Sequence, residues 1–243
     1  MRYRFVAGET LTDAYREHLT STWATVQTAP VTTTTGLLTY RQRLHVVHVS
    51  ASGVATIAVS ESTHTLTKTT GLHSTVGTQP GQPASTGLFY PDGGTYMLNP
   101  HSKQIGNAGH VPLFPSRPVS PGAHWNRRGV FYLGGVFVQP PVPVMEHLTF
   151  TGYGVVHGER VAEITIAVQA QKAGKAPPGG VWSNAPIMTN DTVTSTLSIG
   201  LSSGYLVRLV QDKTTTVREI VGKRSTTPGG WFRLATHTEM RRV

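Results

Sequence analysis

Over most of this chain apolar and polar residues alternate one for one, and that period limits what the chain can fold into. In Thr192-Val193-Thr194-Ser195-Thr196-Leu197-Ser198-Ile199, the side chains of Val193, Leu197 and Ile199 stand against Thr192, Thr194, Thr196 and Ser198. A period of two puts one set on each face of a pleated strand. Tyr15, Leu19 and Trp23 share a face in 14–28, opposite Arg16, His18, Thr20 and Thr22. Leu38, Tyr40, Leu44 and Val46 do the same in 37–49, as do Ala55, Ile57 and Val59 in 54–69. No stretch of ten or more residues carries the 3.6-residue period of a helix; Gly8 to Glu17 offers room for one short helical turn. Several strands run past ten residues, beyond the usual five or six. Fifteen residues at about 3.3 Å each reach about 50 Å. The expected fold is therefore all-β, with long antiparallel strands forming a curved sheet or half-barrel.

Turn chemistry agrees. Pro91-Asp92-Gly93-Gly94 reads as a hairpin turn, as do His157-Gly158-Glu159 and Ser202-Ser203-Gly204. Glycine and proline gather in 77–87, 106–122, 139–143 and 174–186, which read as loops. A weak internal repeat organises these elements. Phe5–Leu11 resembles Pro118–Trp125, Val49–Ile57 resembles Val156–Ile164, and Gly94–Leu98 parallels Gly204–Val207. The expected organisation is a first β half over 1–105, a Gly/Pro connector over 106–117 and a second β half over 118–243.

Charged residues make up only 14% of the chain, against about 25% in an average soluble protein. The 21 Lys and Arg outnumber the 12 Asp and Glu, for a formal charge of +9. The basic residues are dispersed as Arg2/Arg4, Arg41/Arg43, Arg127/Arg128, Lys172/Lys175, Lys223/Arg224 and Arg241/Arg242. That pattern reads as a solvated surface, and nucleic acid is not the expected partner. With no cysteine, disulfides, thiolate metal sites and cysteine nucleophiles are excluded. No apolar run approaches the length of a membrane-spanning helix, and Met1-Arg2-Tyr3-Arg4-Phe5 leads straight into strand-like sequence with no signal-peptide pattern. The expectation is either a chain that is not exported or one whose leader was removed and replaced by Met1.

The segment Leu113-Phe114-Pro115-Ser116-Arg117-Pro118-Val119-Ser120-Pro121-Gly122-Ala123-His124-Trp125 resembles uncharacterised bacterial cell-envelope proteins with two β-rich halves. Those proteins carry a P-x-x-P-V-x-x-G-x-x-W segment between the halves, and Tyr3–Glu9 and the hairpin around Val156-His157-Gly158 fit the same pattern. More broadly the chain is similar to periplasmic carriers of the lipoprotein-localisation type, whose curved sheet cups an acyl chain. The lipidated cysteine of such lipoproteins has no counterpart here. The resemblance implies an extracellular or periplasmic, cell-envelope location.

Candidate chemistry is sparse. Gly200-Leu201-Ser202-Ser203-Gly204 matches G-x-S-x-G, but that motif needs a strand-to-helix elbow, and Tyr205–Leu209 reads as another strand. Eleven histidines show no H-x-H or H-E-x-x-H spacing, and His45 and His48 point to opposite faces, so no metal site is expected. No cofactor fingerprint is present. Trp23 and Trp125 read as core, while Trp182 and Trp231 follow Gly/Pro loops. The leading expectation is a non-enzymatic protein with a concave apolar face lined by Leu38, Tyr40, Leu44, Val46, Ile164, Ile166 and Val168. Its partner would be an apolar small molecule or lipid. The alternative is a self-assembling structural subunit, since long, charge-poor strands leave edges open to pairing. A weaker alternative is a serine hydrolase using Ser202.

Overall fold

The computed structural model describes residues 2–25, 30–98, 113–131, 133, 142–176, 184–220 and 229–243. Its elements are β1 (Thr10–Ala24), β2 (Thr32–Val49), β3 (Ala55–Glu61), β4 (His64–Thr70), β5 (His73–Gln79), β6 (Ser85–Phe89) and β7 (Thr95–Leu98). They continue with β8 (His124–Phe131), β9 (Val142–Val156), β10 (Glu159–Lys175), β11 (Pro186–Gly200), β12 (Leu206–Glu219) and β13 (Trp231–Arg242). All thirteen belong to one antiparallel sheet in the order β7-β6-β3-β2-β1-β13-β12-β11-β10-β9-β8, with the β4–β5 hairpin branching from β2. The chain is all-β with long antiparallel strands, as its alternation dictates. Trp182, Lys223 and Arg224 lie outside the described residues.

Two local expectations give way. Residues 10–17 are strand, not a helical turn: Thr10 to Glu17 pair in continuous register with His45 to Leu38. Gly8, at φ 84°, turns the chain into that register, donating its N–H to Val46 O at 2.8 Å. The single strand expected over 54–69 is broken at Ser62-Thr63 into β3 and β4, which pair with successive stretches of β2. At the break the Arg41 amide donates to the Ser62 hydroxyl, 2.9 Å away, so a side chain replaces a ladder carbonyl.

Register assigns every side chain to a face. Asp13, Tyr15, Glu17, Leu19 and Trp23 on β1 fall in step with Arg242, Met240, Thr238, Thr236 and Phe232 on β13. The opposite face carries Arg16, His18, Thr20 and Thr22 with Glu239, His237, Ala235 and Arg233.

The sheet curls around the first of these faces. The Phe5 ring lies 6.4 Å from Phe89 at the end of β6 and 5.8 Å from Tyr205 at the start of β12. Five strand spacings separate β6 from β12, about 24 Å on a flat sheet. Likewise Lys213 Nζ on β12 lies 5.3 Å from the Phe131 ring on β8, across three intervening strands. Both contacts require a deeply concave sheet.

Apolar packing concentrates at the two ends of the concave face. At one end Leu148, Phe150, Ala162, Ile164 and Ile199 pack with Leu113 and Phe114, and Val46, Ala55, Ile57 and Val59 form a neighbouring cluster. Tyr3 and Phe5 join these clusters, the Tyr3 ring lying 5.9 Å from Phe5 and 5.4 Å from Phe114. At the far end Ala176, Ile187 and Val217 pack with Phe232.

The same local geometry occurs at two places in the chain. Gly8 (φ 84°) donates to Val46 O and Val46 donates back to Glu9 O; Gly122 (φ 86°) donates to Phe150 O and Phe150 donates back to Ala123 O. Beside these turns, Thr10 Oγ1 meets His45 Nδ1 at 2.9 Å and His124 Nδ1 meets Thr149 Oγ1 at 2.8 Å, the two residue types exchanged. A register shift follows Val46 in the β2–β3 pair and follows Phe150 in the β9–β10 pair.

Candidate functional site

Between the two packed ends, the concave face carries charged and aromatic side chains on strand positions that otherwise hold core residues. Asp13, nearly buried, accepts from Arg242 Nε at 3.0 Å and from its Nη2 at 3.3 Å. Burial pushes the Asp13 carboxyl above its ordinary value, although the Arg242 hydrogen bond and charge oppose this. Asp191 is fully buried and lies 3.2 Å from Lys213 Nζ. Arg127 on β8 pairs with Glu146 on β9. Gln42 Nε2 donates to Glu61 at 3.3 Å, and His64 lies 3.1 Å from the other oxygen of that carboxylate.

Three rings stack across β1, β2 and β4. Tyr15 and Tyr40 lie parallel with centroids 4.7 Å apart, and His64 stacks on Tyr40 at 4.4 Å. Burial raises both tyrosine hydroxyls, that of Tyr40 to about 12, so neither ionises at neutral pH. Glu17 stands one strand position further along β1, in register with Leu38. Partial burial lifts its carboxyl above the ordinary range, and the Lys213 charge pulls the other way.

Gly36, in register with Leu19, sits under two leucine methyls: a Cβ built there would lie 3.5 Å from Leu19 and from Leu66. Leu19, Leu38, Leu66, Tyr15 and Tyr40 are all half-buried, and none belongs to the packed clusters among the described residues. They form an open apolar and aromatic wall along one side of the concave face.

The fold divides the seven expected ligand-contacting residues. All lie in the concave phase of their strands. Leu38 and Tyr40 belong to the open wall. Leu44 packs beside the fully buried Val46, and Ile166 packs beside Ile164, which is 2% exposed. Val168 is 7% exposed. Val46, Ile164 and Val168 are thus buried, while Leu44 and Ile166 are half-buried against the packed clusters. The polar groups of the site have a sequence signature that hydrophobic patterning alone passes over. Asp13, Glu17, Asp191 and Lys213 occupy the same parity as Tyr15, Leu19, Val193 and Leu209. A charge in the core phase of a strand needs a partner or a purpose.

Ser202 lies in the turn between β11 and β12, and a strand follows it rather than a helix. Its hydroxyl donates to Glu159 Oε1 at 2.7 Å, and the Ser203 amide donates to the same oxygen at 2.9 Å. Partial burial raises the Glu159 carboxyl, but these hydrogen bonds outweigh it and hold the group below its ordinary value. Among the described residues no histidine hydrogen-bonds Ser202, and no group of three or more His, Asp or Glu is placed to hold a metal ion.

No family model matches the chain, and no curated protein matches it. Among solved structures, an outer membrane channel from Pseudomonas putida F1 aligns with 99% of this chain and 97% of its own, at 11% identity and a TM-score of 0.36. That score is too low to transfer a fold or a role. On the convex face β1, β11 and β12 turn Arg16, His18, Thr20, Thr192, Thr194, Asp212 and Thr214 outward.

Proposed function

We propose that this chain is a non-enzymatic binding protein of the cell envelope or extracellular space, built by duplication of a β meander, that holds an amphipathic ligand in its concave face. The observation that carries this reading is the open wall of Tyr15, Leu19, Leu38, Tyr40 and Leu66 beside Glu17. A sheet built only for stability would cover these side chains, since each buried leucine or aromatic contributes about 1.5–3 kcal/mol. The wall suits an apolar chain or ring, and the Glu17 carboxyl suits a cationic or hydrogen-bonding head. The matched turns at Gly8 and Gly122 support the duplication. The likeness of the Pro115–Trp125 segment to envelope proteins supports the location.

Dodecylamine tests the reading, with laurate as the opposite-charge comparison. Native mass spectrometry should show one saturable dodecylamine adduct, weakened at least about tenfold in Leu38→Glu, with laurate bound less tightly. Absence of an adduct, or equal binding by Leu38→Glu, overturns it.

A second reading, self-assembly, is favoured by β5. This edge strand is exposed throughout, has no Lys, Arg, Asp or Glu, and presents Val76 at 70% exposure beside the fully exposed Leu72. Concentration-dependent growth in sizing experiments, blocked by Val76→Lys, would favour that reading over a monomeric carrier.

A further inference from the structure

We propose that the convex face binds an anionic polysaccharide through five arginines that the fold brings together. Arg41, Ala14, Arg241 and Arg208 form a single cross-strand row over β2, β1, β13 and β12. Arg16 stands in the next row, between Thr39 and Glu239, and Arg43 stands opposite Thr12 on the other side. All five guanidinium side chains are exposed, and among the described residues none is in an ion pair. The acid among them, Glu239, lies 3.5 Å from His237.

Arg208 and Arg241 face each other directly across the ladder. Like charges so placed destabilise a sheet, so folding alone gives no reason for the pair. Four of the five, Arg16, Arg41, Arg208 and Arg241, line one groove of about 630 Å³ with Thr39, Thr63, Thr65 and His157, and Glu239, Tyr15 and Tyr40 also border it.

The chemistry of this groove selects among polyanions. Guanidinium forks bind carboxylate and sulfate with paired hydrogen bonds. The threonine hydroxyls between them match sugar hydroxyls. A membrane-surface anchor needs apolar or aromatic side chains to enter the lipid; between the arginines stand Ala14 and Thr39, and the groove's Tyr15, Tyr40 and Met240 belong to the strand phase of the concave face. Single-stranded nucleic acid needs an aromatic stacking platform, and Tyr15 and Tyr40 turn to the concave side.

The test measures binding of the full chain to heparin, to a short DNA duplex and to phosphatidylglycerol vesicles. One variant combines Arg16→Gln, Arg41→Gln, Arg208→Gln and Arg241→Gln. A charge-matched control combines Arg117→Gln, Arg128→Gln, Arg218→Gln and Arg233→Gln, four exposed positions outside the groove. Heparin affinity should fall at least about tenfold in the first variant and less than about twofold in the control, both melting cooperatively. A third variant, with lysine at the four groove positions, keeps the charge without the forks and should bind between wild type and the glutamine variant. Equal loss in the control would show a net-charge effect and overturn the proposal. So would tighter binding to duplex or vesicles, or no heparin binding by the wild-type chain. If the glutamine variant fails to fold, the lysine variant decides: affinity equal to wild type overturns the role of the forks.

Discussion

Replacing Lys213 by methionine probes the concave interior at its most consequential ion pair. Asp191 is fully buried, and Lys213 is 22% exposed with its Nζ 3.2 Å from the carboxylate. The ammonium also sits 5.3 Å from the Phe131 ring. Methionine keeps most of the stem's packing volume but removes the Lys213 charge from beside a fully buried carboxylate. Breaking such a pair from one side costs about 3–5 kcal/mol, and the partial exposure of Lys213 places this case near about 3 kcal/mol. With a urea m-value of about 2–3 kcal/mol/M for a chain of this size, the midpoint should fall by about 1–1.5 M. Equilibrium urea unfolding followed by tryptophan fluorescence measures it. The double variant Lys213→Met/Asp191→Asn should recover at least about 2 kcal/mol relative to additivity. A single-variant loss under about 1 kcal/mol, or no recovery in the double variant, would refute the reasoning that the curled sheet closes over this pair.

Two smaller perturbations test other parts of the structure. Gly8→Ala and Gly122→Ala each place a Cβ at positive φ, with nothing within 4 Å to clash, so each should cost about 1–2 kcal/mol from backbone strain alone. Costs differing by more than about 1 kcal/mol in urea unfolding would count against equivalent turns. His237 is raised above its ordinary value by its hydrogen bond to Asp212, with partial burial opposing and Glu239 adding to the rise. Because the folded value is raised, its stabilisation is complete below the unfolded value, near pH 6.5, and is lost as pH rises through the folded value. The urea midpoint of the wild type should therefore drop over that window relative to His237→Gln. The difference should stay under about 1 kcal/mol, because the pair is exposed and solvent-screened. A pH-independent difference would remove His237 from the account.

The alternation determined a great deal by itself. Val193, Leu197 and Ile199 against Thr192, Thr194 and Thr196 dictates a strand and the two faces of that strand, because side chains on a pleated backbone leave in opposite directions whatever lies beside it. Glycine at 158 and at 204 likewise marked turns the structure contains, at φ of 82° and 69°. Where alternation was thin, near Gly8, local reading left room for a helical turn; pairing with β2, and with β13 from Asp13 onward, holds Thr10–Glu17 extended.

Parity names a face but not a neighbour, and the neighbours were set by the tertiary structure. Asp13 meets Arg242 across 229 residues of sequence because β13 docks against β1. The same docking gathers Arg16, Arg41, Arg208 and Arg241, dispersed along the chain, into one groove. Curvature then separates apolar residues that are indistinguishable in sequence. Val46 and Ile164 lie where the ends of the curled sheet crowd together and become core, whereas Leu38 and Tyr40 lie between the packed ends and stay open. Hydrophobicity is a property of each residue, but burial depends on what the rest of the chain places above it.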